Sequence, residues 1–159
     1  MYRVLDWITL ILWFATTMLL IIFFNRLPAE VPSHYNILGE PDRYANRWFV
    51  FFIPALSIAL WSFLRYMEQK PQFMHLPKPD QRLASEEQHM ILSRMTSLLK
   101  NELSLFLTWL MLKNVLLALD ITTIHLGIWE FVAFVVILVV TFLIYYIQFK
   151  RAKSQSSSG

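Results

Sequence analysis

The sequence predicts an all-α integral membrane protein with four transmembrane helices, an ordered outer loop and an amphipathic cytoplasmic helix. Three observations support this prediction. First, 57% of the 159 residues are hydrophobic and 16% are aromatic, which is more apolar surface than one small soluble core can bury. Second, the apolar residues fall into four long blocks. Third, most Lys and Arg residues fall on one side of the predicted spans.

Each of the four blocks is long enough to cross a bilayer. Uncharged runs cover 7–24, 48–64 and 131–149, and only Lys113 interrupts the run at 103–119. About 20 helical residues cross about 30 Å of hydrocarbon. We therefore expect spans at about 5–25, 48–67, 101–119 and 128–149. The first run is longer than that of a signal peptide and lacks a small-residue cleavage site, so we expect it to be retained.

The basic residues predict the orientation. Of the 14 Lys and Arg residues, ten fall on one side of the spans, three on the other and Lys113 within a span. Because cytoplasmic segments carry the excess of positive charge, both termini are expected to face the cytoplasm. The basic side consists of Arg3, Arg65, Lys70, Lys78, Arg82, Arg94, Lys100, Lys150, Arg151 and Lys153. This distribution accounts for the isoelectric point of about 9.3, and no nucleic-acid partner is predicted.

The outer loop at 26–47 is predicted to be ordered. Pro28 and Pro32 favour extended backbone at the residues before them. A tight turn is predicted at 36–39 with positive φ at Gly39, and a second turn is predicted around Pro41. Because the chain has no cysteine, this loop depends on non-covalent contacts and offers no thiolate for a metal or for catalysis.

The segment 68–100 is predicted to be cytoplasmic. It begins with an extended, proline-containing connector. Ser85 is a favourable N-cap, and apolar residues at helical spacing from Ile91 predict an amphipathic helix. This helix is expected to lie on the inner membrane surface or to pack on the inner ends of the spans. Residues 150–159 are predicted to form a disordered tail.

The outer loop also carries a spaced motif. It reads L-P-x-x-V-P-x-H-Y-N-x-x-G-x-P-D over residues 27–42, directly between two predicted spans. This loop resembles that of a bacterial membrane family of unknown function, which also supplies the N-terminal module of SdpI-type immunity proteins. The resemblance implies a place in the bacterial inner (plasma) membrane. It also implies protection from a secreted toxic peptide and a signal to a cytoplasmic protein partner.

Polar residues of this loop form the candidate site, as ligand-binding or loop-organising groups. They are His34, Asn36, Gly39, Asp42, Glu30 and Arg47. In a structural interpretation, Asn36 and Asp42 cap turns, Asp42 pairs with Arg43 or Arg47, and His34 bonds to backbone. In the alternative, His34 and Asp42 anchor a peptide or a metal ion such as zinc or manganese. No metal-binding motif such as HExxH occurs, and no cofactor is predicted.

Lys113 lies about 9 Å inside the outer end of the third predicted span. A charge at this depth requires a partner or water. Glu130, at the outer start of the fourth span, is the first candidate because the helix dipole also favours an acid there. Asp42 is the second candidate. In the alternative, the Lys113 ammonium reaches the outer headgroups.

Three function classes remain open. The first is a non-enzymatic recognition or immunity-type protein that binds a peptide or ion at its outer face, whose charges sum to 3 − 5 = −2. The second is a membrane-embedded metal-dependent enzyme that uses His34 and nearby carboxylates. The third is a small transporter, although the first, second and fourth spans lack an internal ionisable residue. The position of the motif on the outer loop favours the first class.

Overall fold

The computed structural model describes residues 2–70, 86–121 and 127–156, and the side chains of 3–70, 87–121 and 127–152. Four helices form a bundle, and a hairpin with a short 3-10 helix on each side connects the first two. The elements are α1 (Tyr2–Phe23), a 3-10 helix (Phe24–Arg26), β1 (Glu30–Tyr35), β2 (Pro41–Asn46), a 3-10 helix (Arg47–Phe51), α2 (Phe52–Gln69), α3 (Glu86–Ala118) and α4 (Ile128–Ser156). Ser85 and most of the predicted connector lie outside the described residues.

Three of the predicted spans are confirmed as helices that are long and apolar enough to cross a membrane. They cover Arg3–Arg26, Arg47–Gln69 and Ile128–Ala152 among the described residues. Large apolar side chains are exposed on these helices, including Ile22 on α1 and Phe131 on α4. Contiguous apolar surface of this kind is unfavourable in water and suits lipid. These helices indicate a membrane protein.

The third predicted span is helical but less apolar than the others. It forms the C-terminal part of α3, a 33-residue helix that is not among the three spanning candidates in the described chain. The predicted cytoplasmic helix continues into it without a break, since 86–118 contains no Gly or Pro. α3 packs against α1, α2 and α4. Its buried positions include the polar residues Ser97, Asn101, Ser104 and Thr108.

The outer loop contains two strands, which the all-α prediction missed. β1 and β2 pair antiparallel from Glu30 opposite Asn46 to Tyr35 opposite Pro41, with irregular register around His34. The extended backbone expected near the prolines therefore becomes a hairpin. Val31 of β1 is buried in a cluster that docks the hairpin on the bundle. The other buried members of this cluster are Leu20, Leu27, Met111 and Val115.

At the opposite end, α4 is longer than predicted. The prediction of a disordered tail is wrong for 150–156, which are helical, and 157–159 lie outside the described residues. Two causes are visible. Ala152 is buried beside Ile91 of α3, and basic residues near the end of a helix interact favourably with its dipole. This contact also places the N-terminal part of α3 against α4.

Candidate functional site

The side chain of Asn36 organises the turn of the hairpin. Its Oδ1 accepts hydrogen bonds from the backbone N–H groups of Leu38 and Glu40, each at 2.9 Å, and its Nδ2 donates to Glu40 Oε2 at 3.0 Å. The Gly39 N–H donates to the Asn36 carbonyl at 2.9 Å. Gly39 has φ +83°, a left-handed conformation that costs glycine little. Asn36 and Gly39 together determine the shape of the turn.

Next to the turn, His34 and Asp42 face each other across the two strands. His34 Nδ1 lies 2.5 Å from Asp42 Oδ1, and the side chains are 59% and 41% exposed. In the described part of the chain, the side-chain partner of Asp42 is therefore His34 instead of Arg43 or Arg47. A carboxylate at Nδ1 orients the imidazole ring and leaves Nε2 for another partner.

Two hydrogen bonds attach the tip of the hairpin to the helices. The Tyr35 hydroxyl donates to Asn114 Oδ1 of α3 at 2.7 Å. Burial raises the pKa of Tyr35 to about 12, so the phenol remains a protonated donor even in moderately alkaline solution. At the start of α4, the Ile128 N–H donates to the Ile37 carbonyl at 3.0 Å. The hairpin is therefore connected to α3 and to α4.

Behind the hairpin, Lys113 of α3 and Glu130 of α4 form a buried ion pair. Lys113 Nζ lies 2.5 Å from Glu130 Oε1, and the side chains are 9% and 5% exposed. Trp109 Nε1 donates to Glu130 Oε2 at 2.7 Å. The Lys113 ammonium also lies 5.3 Å from the centroid of the Tyr35 ring, within cation–π range. The structure thus brings Lys113 to its first candidate partner and connects this pair to the hairpin.

These groups surround a cleft of about 750 Å³ between the hairpin and the ends of α3 and α4 that lie beside it. Its polar lining comes from His34, Asn36, Asp42, Lys113 and Glu130, and its apolar lining includes Phe106, Leu110, Ile128 and Phe131. Ligand sites typically combine mostly apolar walls with a few placed polar groups. We refer to this space as the outer cleft.

Two predicted site residues do not line the outer cleft. Glu30 is exposed at the start of β1, roughly 13 Å along the strand from His34. The Arg47 guanidinium lies 5.1 Å from the centroid of the Phe24 ring. The described residues contain no group of three or more His, Cys, Asp or Glu side chains that could hold a metal. A metal ion held by His34 and Asp42 would have two protein ligands, which is fewer than a zinc site normally has.

A second polar cluster, where α1 begins and α2 ends beside the middle of α3, was absent from the predicted site. Lys100 is fully buried, with its Nζ 2.7 Å from Asp6 Oδ1 and 2.8 Å from Glu68 Oε2. Arg65 contacts the same two carboxylates at 3.3 and 3.0 Å. Asn101 Nδ2 donates to Asp6 Oδ1 at 2.8 Å. The clustering of these charges at the ends of predicted spans is the sequence signal that could have revealed this cluster.

Comparison with known proteins supports a family of unknown function. Residues 11–58, which include most of α1, the hairpin and the start of α2, match a family described as a domain of unknown function, DUF1648. A protein of Archaeoglobus fulgidus, itself described only as uncharacterized, is 37% identical over a stretch that covers 34% of this chain and 34% of its own length. This chain thus spans about a third of that relative. No solved structure matches the chain.

Proposed function

We propose that the protein is a four-span, non-enzymatic recognition protein of the immunity type that binds its ligand in the outer cleft. Both ends of the chain then face the cytoplasm, in a bacterial inner membrane. The outer cleft is the observation that carries this proposal, because hydrogen bonds and a buried ion pair hold its walls in place. A pre-formed cleft of mostly apolar walls with a few placed polar groups suits ligand binding.

The contacts of α3 support its role as the fourth span. Midway along α3, Lys100 contacts Asp6 and Glu68; near its C-terminal end, Asn114 contacts Tyr35 of the hairpin. These two levels are roughly 21 Å apart along the helix, and they also bracket the apolar part of α1. Because the other helices pack around α3, its polar side chains are shielded from lipid, as intramembrane polar groups must be.

A secreted cationic peptide is the ligand that the charges favour. The charges of the outer face sum to −2 by sequence, and Asp42 places a half-exposed carboxylate in the outer cleft. The resemblance of the loop to SdpI-type immunity proteins favours a peptide over a small ion. Complementary charge raises the association rate of a ligand, and this attraction weakens as the salt concentration rises. The inner part of α3 would then contact a cytoplasmic partner.

The test uses two labelled amphipathic peptides with the same apolar residues, one carrying lysines and the other glutamates. Fluorescence anisotropy with the purified protein should show binding of the lysine peptide and weak binding of the glutamate peptide. Asp42→Asn should weaken binding about tenfold, as expected for the loss of a charged hydrogen-bonding group. Asp120→Asn, which removes an exposed outer carboxylate that does not line the outer cleft, should change it little. Equal losses in the two variants would contradict the outer cleft as the binding site.

The His34–Asp42 pair favours a second candidate, a metal-dependent membrane enzyme. A carboxylate-oriented imidazole is common behind a bound metal and in general-base pairs. Elemental analysis of protein purified without chelator tests this candidate. A stoichiometric metal that is present in wild type and lost in His34→Ala would support the metal-dependent enzyme. Wild-type protein without bound metal would contradict it.

A further inference from the structure

Glu102 of α3 is a carboxylate that the outer-cleft proposal does not use. Thr141 of α4 donates to its Oε1 at 2.6 Å. The other oxygen, Oε2, is buried and has no hydrogen-bond partner among the described residues. A buried carboxylate oxygen without a donor is unfavourable. This position therefore calls for a donor that approaches between α3 and α4.

A groove of about 370 Å³ leads away from Glu102 between these two helices. Its walls are apolar and largely aromatic, and they include Phe106, Trp109, Phe134 and Ile137. Phe106 and Phe134 stack at its centre with ring centroids 4.0 Å apart. Trp109 and Ile137 are both exposed, so the groove opens on the surface that lipid covers in a membrane. We refer to it as the α3–α4 groove.

Of the two acidic groups that line the α3–α4 groove, Glu102 is the one with a carboxylate oxygen that lacks a donor among the described residues. Glu130 lies at the other end of the groove. Thr141, the partner of Glu102, is 11 residues from Glu130 on α4, so the two carboxylates are roughly 16 Å apart along the helix. Both Glu130 oxygens are already engaged, one by Lys113 and the other by Trp109. Glu102 Oε2 is therefore the carboxylate oxygen of the groove that a donor from a ligand would satisfy.

We propose that the α3–α4 groove binds a membrane lipid whose headgroup carries a primary ammonium, as in phosphatidylethanolamine. The ammonium donates to Glu102 Oε2, and an acyl chain lies against Phe106 and Phe134. The placement of Glu102 supports this arrangement, since it follows Lys100 and Asn101, which belong to the polar cluster at the level where α1 begins and α2 ends. A lipid whose headgroup lies at this level can direct its chains along the groove toward Glu130.

Charge distinguishes this lipid from others of the same leaflet. A phosphatidylglycerol headgroup has hydroxyls but a net negative charge, which a carboxylate repels. A choline headgroup is cationic but has no N–H to donate. Only the primary ammonium supplies both a positive charge and donors, which is the combination that strengthens hydrogen bonds to carboxylates.

Lipids with brominated chains provide the test, because bromine quenches nearby tryptophan and Trp109 lines the groove. The protein is placed in phosphatidylcholine vesicles with increasing fractions of brominated phosphatidylethanolamine or brominated phosphatidylglycerol. The signal of Trp109 is the difference between wild type and Trp109→Phe. We expect brominated phosphatidylethanolamine to reach half-maximal quenching at a lipid fraction about tenfold lower than brominated phosphatidylglycerol. This is the preference that one charged hydrogen bond would give.

Two variants connect this preference to the carboxylate. Glu102→Gln should bring the two lipids close to equal quenching, whereas Glu87→Gln, at an exposed position of the same helix, should keep the tenfold preference. Thr141→Ala leaves the carboxylate in place and should also keep it, which tests the proposal even where Glu102→Gln misfolds. Equal quenching by both lipids in wild type would overturn the proposal. A preference that persists in folded Glu102→Gln, or that is lost in folded Thr141→Ala, would overturn it as well.

Discussion

At the scale of single residues, Asn36 has a structural role that its exposure conceals. Its amide group bonds to two backbone N–H groups and to the Glu40 carboxylate. Asn36→Ala would leave those N–H groups to water and remove the side chain that mimics a backbone turn. We expect a loss of about 1–2 kcal/mol in unfolding free energy, measured by denaturant titration. Ile37→Ala, at a 72% exposed neighbour, is the matched control and should change stability little.

Gly127 is a second residue whose role depends on backbone geometry. Its φ is +57°, and a Cβ there would lie 2.5 Å from the Ile37 carbonyl oxygen and 2.8 Å from the Leu38 carbonyl carbon. Gly127→Ala therefore combines an unfavourable φ with a clash against backbone. We expect it to separate the hairpin tip from α4, to cost about 1–3 kcal/mol, and to speed proteolysis within 30–46. Ile128→Ala keeps this backbone contact, and equal proteolysis of the two variants would contradict the role of Gly127.

The sequence predicts the candidate residues in part. Positive φ at Gly39 follows from local turn chemistry. The partner of Lys113 follows from the positions of the span ends, which place Glu130 near the same depth at the start of the next helix. The His34–Asp42 contact depends instead on strand register, which is irregular at His34. The Tyr35–Asn114 bond joins positions 79 residues apart, so it depends on how the helices pack.

At the scale of elements, α3 shows why a helix at the centre of a bundle can have a lower mean hydropathy than the helices around it. Its polar residues Ser97, Asn101 and Thr108 are buried, and α1, α2 and α4 surround it. The helices that face lipid carry the strongest apolar signal, whereas the helix they enclose can satisfy polar side chains internally. Composition therefore reveals α1, α2 and α4 more clearly than α3. The hairpin strands escaped prediction because each has six residues and neither alternates between apolar and polar residues.

The ion pair between α3 and α4 provides an element-scale prediction. Lys113→Met leaves the buried Glu130 carboxylate without its cation, so we expect a loss of about 3–5 kcal/mol and faster proteolysis of the hairpin. Adding Glu130→Gln removes the unpaired charge and should restore part of the stability. Thermal unfolding in one detergent compares both variants with Lys150→Met, a control at an exposed lysine. A double variant less stable than Lys113→Met alone would show that the carboxylate is not destabilising there.

At the scale of the whole molecule, two polar networks lie at different levels of an apolar bundle, one beside the hairpin and the other where α1 begins and α2 ends. The second network joins α1, α2 and α3 through Lys100, and the first joins the hairpin, α3 and α4 through Lys113. Both networks are therefore centred on charged residues of α3. In a bilayer, where lipid gives no hydrophobic force between helices, such polar contacts help to select one packing. Sequence shows the level of each charge along its helix, whereas the face it occupies emerges only from the packed structure.

The same arrangement predicts on which side of the membrane each end of the bundle lies. Because the chain has no cysteine, single cysteines at exposed positions 37, 87, 121 and 150 report accessibility without background. In intact cells, a membrane-impermeant maleimide should label Ile37→Cys and Ile121→Cys, which lie at the hairpin end of the bundle. Glu87→Cys and Lys150→Cys should react only after permeabilisation, since the excess of basic residues predicts that their side faces the cytoplasm. Labelling of positions 37 and 121 from opposite sides would mean that α3 does not cross, and a reversed pattern throughout would place the outer cleft in the cytoplasm.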